Sequence, residues 1–346
     1  MHISVYCLAM TNPEPPPGTP TAPLELAGGA ANVSARIDSA SVTLSTDFLQ
    51  ELGNACADIS VDAAERGEAG RDWWPLAMVW ATLGEVVAIP GAIARPTTVA
   101  EVSAVLALCN REGIPVTAAG GRSSVVGGAV ALFGGVLLDL CGLSGIESVN
   151  TKSMTVEVLA GTFGDMFEEE LQKTHKVTVG HWPQSMALAT VGGWLACRGA
   201  GQLSNRYGKI EDIVVALEVV LADGTVIHTG GQPRQAVGPD LNQLFVGSEG
   251  TLGVITRAWL RAHHLPTHTR QAAYGFGSLD EGLDAMRRIT QRGATPAVMR
   301  LYDAIESEHH HGTDSGINVL LVLDEGDSRL VDAGMEVVAQ ECKTAR

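Results

Sequence analysis

Apolar residues follow two rhythms along this chain, and each change of rhythm marks an element. Phe48, Leu49, Leu52 and Cys56 recur at helical spacing within 45–64, which predicts a helix there. A short apolar run at 86–89 reads as a strand. Thr98 and Glu101, just after Pro96, form a capping box, and Val102, Val105, Leu106 and Cys109 carry an apolar stripe on to Gly113. Strands are predicted at 114–117, 135–140 and 155–159, then a helix from Thr162 with Phe163, Phe167 and Leu171 on one face, then a strand at 177–179. A further helix is expected from about Thr190. Runs at 214–220 and 225–229 flank Ala222-Asp223-Gly224, a strong hairpin signal, and 254–260 is the next strand.

Pro266 marks a boundary. Beyond it come a strand at 271–276, a helix over 280–292, strands at 297–302 and 318–323, and a last helix. That β-α-β-β-α order builds an antiparallel sheet with helices on one face. The fold class is therefore α+β, in four segments. A proline-rich mobile leader covers 1–44, with six prolines at 11–23. Residues 45–84 are helical and extended, and Arg71-Asp72-Trp73-Trp74-Pro75 suits an extended crossing. The main domain spans 85–265 and a cap 266–346. The chain stops at Arg346 inside a helix that reads as the first half of the cap, so a partial, truncated cap is expected.

Charge narrows the partners. With 23 basic against 39 acidic residues the net charge is −16, which argues against a nucleic-acid surface, since that needs a basic face. A pyrophosphate remains acceptable, because main-chain N–H groups can hold it without lysine. Cys7, Cys56, Cys109, Cys141, Cys197 and Cys342 form no CxxC pair and read as buried thiols of a reducing, cytoplasmic setting. Residues 1–10 lack the basic start of a signal peptide, and no apolar stretch reaches membrane-spanning length. No metal is expected: His309-His310-His311 are neighbours in sequence that do not converge easily on one ion, and they read as an exposed loop.

The glycines carry the functional signal. Ala119-Gly120-Gly121-Arg122-Ser123-Ser124-Val125-Val126-Gly127-Gly128 lies between two strands, where successive amides can share one concavity and bind an oxyanion, with Ser123 and Ser124 adding hydroxyls. It is neither a Walker loop nor a dinucleotide fingerprint opening a helix. A sharp inter-strand turn is the alternative. Gly192-Gly193 stands in the first turn of the helix expected from Thr190, a costly place for glycine. That cost makes sense if a ligand takes the free amides of the turn. Glycine at this density implies a close neighbour or a strained dihedral, and a large, flat, phosphate-bearing cofactor would be such a neighbour.

Taken together, the loop at 119–128, Thr190-Val191-Gly192-Gly193-Trp194, Tyr207-Gly208-Lys209-Ile210-Glu211-Asp212 and Gly247-Ser248-Glu249-Gly250-Thr251-Leu252-Gly253-Val254-Ile255-Thr256 resemble the FAD-linked oxidase superfamily of vanillyl-alcohol oxidase, or PCMH, type. Within it the chain is most similar to the alkylglycerone-phosphate synthase branch, over about 85–302. The resemblance implies a PCMH-type FAD-binding domain of two α/β subdomains gripping an extended FAD, followed by a cap over the flavin ring. Position by position, it implies a pyrophosphate cradle at Thr117, Ala118, Ala119, Gly120, Gly121, Arg122 and Ser123. Gln184, Ser185, Met186, Ala187, Leu188, Ala189 and Thr190, with Cys197, Arg198, Gly199 and Ala200, would line the flavin. Glu249, Gly250, Thr251, Leu252, Gly253, Val254 and Ile255 would hold the adenosine side. Some relatives attach FAD through a histidine where this chain has Arg122, so non-covalent FAD is expected.

The resemblance makes Arg300 the candidate catalytic residue, implying that it faces the anionic group of a small-molecule or lipid-like substrate. The plain alternative is a surface arginine paired with Asp303. His181 and Trp182 stand just before the flavin-lining segment, either beside the ring or as packing. Glu211-Asp212 is expected to bond backbone amides or Arg206. The implied reaction exchanges the acyl chain of an acylated dihydroxyacetone phosphate for a fatty alcohol by way of the flavin N5. An oxidase or dehydrogenase of a 2-hydroxy acid, of D-lactate or glycolate type, and an inactive FAD-binding remnant are the alternatives. Peripheral membrane contact and a homodimer stay open.

Overall fold

A computed structural model of the chain describes residues 20, 24–37, 41–231, 236–312 and 316–344. Three main sheets form, each with its own core. In the first, Ile59–Ser60, Ala92–Ala94, Val136–Asp139 and Val116–Ala119 lie side by side, the last three parallel. Parallel strands need a crossover, and the helix Val99–Glu112 supplies one. It begins as its sequence signals: Thr98 accepts from the Glu101 amide while the Glu101 carboxylate accepts from the Thr98 amide, and Gly113 ends it at φ 66°. Its Val102 and Val105 pack with Leu52 of the helix Thr46–Ala55 and with Val136 and Leu138 of the sheet.

The second sheet is antiparallel throughout, in the order Val226–Gly230, Val214–Val220, Val254–Arg261, Thr155–Leu159, Ile146–Asn150. The hairpin closes as expected, with the Leu221 amide donating to the Thr225 carbonyl and Gly224 at φ 87°. Phe167, Leu171, Trp194 and Leu195 fill the core behind it. Val220 and Val254, at the ends of its two central strands, pack into the core of the first sheet. The two halves therefore meet along a seam.

The third sheet carries His268–Phe276, Asn318–Gly326 and Val298–Tyr302, all antiparallel. The helices Leu279–Gln291 and Ser328–Thr344 cover one face, where Ile289, Val331 and Val338 pack on Leu320 and Val322. Side chains alternate along a strand, so Arg300, Tyr302 and Leu321 belong to the face away from those helices. Three bonds tie this unit to the short helix Ser204–Tyr207 of the second half. Arg206 Nη2 meets Asp324 Oδ1 at 2.6 Å, the Tyr207 hydroxyl donates to Glu325 at 2.7 Å, and Asn205 Nδ2 donates to the Pro296 carbonyl at 2.6 Å. The architecture is α+β: two α/β halves followed by a smaller unit with an antiparallel sheet.

Several expectations need correction. Residues 24–37 are docked rather than a mobile leader: Leu26 is buried with Ala81 and Val86, and Ser34–Ala35 pairs in parallel with Glu85–Val86. Composition reads prolines but cannot see a partner strand. Of the proline-rich 11–23, all but Pro20 lie outside the described residues. The run at 86–89 is strand only over Glu85–Val86, because the amides of Val87 and Ala88 turn to the Gly70 carbonyl. The third unit runs β-α-β-α-β-α. Its extra helix, Ala304–His311, is capped by Asp303 and places the histidine run on a helix rather than in a loop. Among the described residues no helix is long and apolar enough to cross a membrane.

Candidate cofactor cleft

A cleft of about 410 Å³ opens where the two halves meet. One wall is the glycine loop from Ala118 to Ala129. Facing it are Pro183, Ser185, Ala189, Thr190 and the first turns of the helix Val191–Ala196, and the Cys197, Gly199 and Glu249–Ile255 stretches close it. Of the residues expected at the cofactor, Ala118, Ala119, Gly120, Gly121, Arg122, Ser123, Ser185, Ala189, Thr190, Cys197, Gly199, Glu249, Gly250, Gly253, Val254 and Ile255 line this one space. The far arm of the loop (Ser124, Val125, Val126, Gly128) and Gly192, Gly193, Trp194 and Ala160 line it too. The glycine pair was the available signal for the helix; nothing local points to Ala160.

The remaining expected positions stand around the cleft rather than in its lining. Thr117 is a strand residue paired with Leu137. Met186 and Leu188 offer carbonyls to tight glycines, as a Cβ on Gly164 or Gly121 would stand 2.7 Å or 1.9 Å from them. Arg198 turns to Gln243 and Glu211, and Gln184, Ala187 and Ala200 are exposed. Thr251 and Leu252 line an adjoining hollow of about 260 Å³ that shares Ala118, Gly250, Gly253 and Val254 with the cleft.

The reason for the glycines differs from the expected one. A Cβ on Gly120 would lie 2.3 Å from Thr190 Oγ1, one on Gly121 1.9 Å from the Leu188 carbonyl, and one on Gly192 2.8 Å from Ala160. For Gly120 and Gly121 the close neighbour is the other half of the protein, and for Gly192 it is Ala160 of its own half. The helix turn is also already satisfied: Val191 donates to Thr162, Gly192 to Ala160, and Gly193 to the Thr190 hydroxyl. Its amides are not free for a ligand. The loop behaves otherwise. Among the described residues, the amides of Gly120, Gly121, Arg122 and Ser123 donate to no acceptor in the chain. Four successive unpaired donors beside a cleft suit an anion such as a pyrophosphate. Arg122, Arg198 and Glu249 hold φ at 53°, 55° and 51°, each costing on the order of 1 kcal/mol, and such strain gathers at ligand sites.

Behind the cleft, His181 is fully buried, with its ring 4.7 Å from that of Trp194. Among the described residues, neither His181 nitrogen nor Trp194 Nε1 has a hydrogen-bond partner. Burial pushes the imidazole down to about 4, against a weaker opposing pull from Glu211, so it is neutral at pH 7. Cys197 is exposed rather than buried, and partial desolvation at the cleft wall, then the nearby Glu249 carboxylate, raise its thiol and keep it protonated. Glu211 and Asp212 lie on the short helix Ile210–Ile213. Asp212 accepts from the Lys209 amide, and Glu211 pairs with Lys209 and Arg198 rather than with Arg206. Arg300 is exposed, its guanidinium 5.5 Å from the Tyr302 ring centre, and it is not part of the cleft lining. Asp303, its suggested ion partner, caps the following helix through the Glu306 amide.

Residues 90–230 match the family model described as FAD binding domain. The chain is 35% identical over 259 residues to an uncharacterized FAD-linked oxidoreductase, YgcU, of Escherichia coli O157:H7, covering 73% of this chain and 52% of that protein. It is 31% identical over 284 residues to the alkyldihydroxyacetonephosphate synthase of Trypanosoma brucei brucei, covering 78% and 45%. A probable mitochondrial D-lactate dehydrogenase of Danio rerio is 34% identical over 222 residues, covering 62% and 44%. The chain thus spans about half the length of the curated relatives it matches. A solved structure of an alkyldihydroxyacetonephosphate synthase superposes with a TM-score of 0.79 at 22% identity, over 94% of this chain and 65% of that one, which shows the fold. The loop, the seam and these likenesses agree: the chain belongs to the FAD-linked oxidase superfamily, carries its FAD-binding domain and takes FAD as cofactor.

Proposed function

We propose that the protein serves the ether-forming reaction, holding an acylated dihydroxyacetone phosphate and exchanging its acyl chain for a fatty alcohol. The observation that carries this reading is Arg300. It offers an exposed guanidinium fork on the face of the third sheet away from the helices Leu279–Gln291 and Ser328–Thr344, opposite Leu321 in the register. A fork suits the two oxygens of a phosphate, and apolar surface next to it suits a chain. In the exchange, the bond from the acyl oxygen to the dihydroxyacetone carbon breaks and the fatty acid leaves. The alcohol oxygen bonds to that carbon and its proton is released, so no net oxidation occurs. Bound FAD supplies an electron-accepting ring for that carbon. The chain's own part is to seat the pyrophosphate on the Gly120–Ser123 amides. Glu249 on the far wall, an acceptor only, suits hydroxyls of the ribose. Attachment is non-covalent in this reading, since the Arg122 guanidinium is not a nucleophile, and acid precipitation should leave a colourless pellet.

A second reading, favoured by the likeness to a D-lactate dehydrogenase, has a 2-hydroxy acid oxidised to its keto acid while FAD is reduced, with Arg300 on the carboxylate. Anaerobic mixing separates the two. Bleaching of the flavin band by D-lactate or glycolate supports the oxidation. Incorporation of a labelled fatty alcohol into an ether-linked phosphate, without bleaching, supports the exchange. Bound FAD with neither outcome would leave only a flavin-binding remnant.

A further inference from the structure

The segment Arg71-Asp72-Trp73-Trp74 lies outside the matched FAD-binding residues 90–230, yet it backs the glycine loop. The Trp73 amide donates to the Ser124 carbonyl at 2.9 Å, and the Trp74 ring packs under Gly127, where a Cβ would stand 3.6 Å from it. Two buried charges occupy this crossing, Arg71 at 2% and Asp72 at 1% exposure. Arg71 is answered by Glu68, through Nη2 at 2.7 Å and Nε at 3.3 Å. Among the described residues Asp72 has no cation partner. Its Oδ1 accepts from the Trp74 amide at 3.0 Å, and its Oδ2 is buried without a hydrogen bond. Burial raises the Asp72 carboxyl above the usual carboxylate range, opposed first by the Trp74 amide and then by the Ser124 hydroxyl and the Gly127 amide of the loop. Ser124 Oγ already accepts from the amides of Val126 at 3.3 Å and Gly128 at 3.2 Å. What the hydroxyl has left to give is its proton, and the acceptor beside it is Asp72.

A buried carboxylate that is only partly satisfied is costly, and a chain that needed only packing here would do better with an apolar residue. We propose that Asp72 is a positioning residue of the FAD site, a brace that holds Ser124 and the Gly127 turn from behind and so keeps the Gly120–Ser123 amides converged on the pyrophosphate. This rests on the reading of the loop as the pyrophosphate seat. Its spare oxygen, Oδ2, is the acceptor open to the Ser124 hydroxyl.

The test is FAD affinity and release rate, followed by flavin fluorescence, in the full chain. Asp72→Asn keeps an oxygen for the Trp74 amide but puts a donor where Ser124 needs an acceptor. It should bind FAD at least tenfold more weakly, through faster release, with the melting temperature of the FAD-free protein unchanged. Ser124→Ala should weaken binding similarly, and the double variant no further, since the two act as one unit. Asp72→Asn within twofold of the parent overturns the proposal, and so does a loss of affinity that only follows a lower melting temperature. Arg122→Glu, which sets a carboxylate among the amides, separates the underlying reading. If it binds FAD normally, the loop is not the pyrophosphate seat and the brace falls with it. If it loses FAD while Asp72→Asn does not, the seat stands and the brace alone fails.

Discussion

The glycine loop at 120–128 and the strand Val298–Tyr302 present chemistry with different atoms. The loop offers main-chain N–H groups, whose directions are set once the backbone path is set, and that path is tightly held: Thr190 and Leu188 of the other half leave no room for a Cβ on Gly120 or Gly121. The strand offers one guanidinium on a flexible stem, exposed and resting near the Tyr302 ring. Adding an atom to the loop forces the halves apart, whereas removing the arginine leaves its strand paired as before. A cofactor seat made of backbone is tied to the stability of the fold. A substrate contact made of side chain can be lost or changed almost freely.

The largest effect should come from the loop. Gly121→Val should cost on the order of 3 kcal/mol, the upper range for overpacking, and yield protein that takes up no FAD, checked by denaturant unfolding and FAD titration. A stable, yellow variant would break the comparison. Next is the buried imidazole behind the cleft. The His181 value is depressed from 6.5 to about 4, so its contribution is complete above pH 6.5 and is lost as pH falls through 4. That fall corresponds to about 3 kcal/mol. Unfolding free energies at pH 7 and pH 4 should show it in the parent and not in His181→Phe.

Smaller effects belong to the third unit. Arg206→Met strips from Asp324, whose side chain is 3% exposed, the one side-chain cation that pairs with it among the described residues. It should loosen that unit by about 2 kcal/mol, read as faster amide exchange in Asn318–Gly326 with FAD affinity unchanged. Least disruptive is Arg300→Ala, expected within about 0.5 kcal/mol of the parent in stability and unaltered in FAD binding, while turnover of an anionic substrate falls. A drop in FAD affinity there would merge the two regions that the comparison separates.

Much of this was legible beforehand for a local reason. Thr98 with Glu101, Gly113 and Ala222-Asp223-Gly224 act on their own neighbours within a few residues, and each does in the structure what its sequence signals. The histidine run misled because Asp303, six residues earlier, caps a helix through it, and one cap outweighs a composition that looks like loop. The docked strand Ser34–Ala35 needs Glu85–Val86 as partner, fifty residues away and without a pattern of its own.

Sequence by itself determined where glycine is required and where helices start and stop, because backbone freedom and capping are short-range properties, while the cofactor was legible only through the motifs that resemble a known family. Only the tertiary structure decided what those glycines make room for, which amides stay free and which are used, and that Asp72 stands behind the loop while Arg300 stands apart from the cleft. Those outcomes depend on which distant segments come to share a seam, and burial and hydrogen bonding are settled by the neighbours that folding brings there.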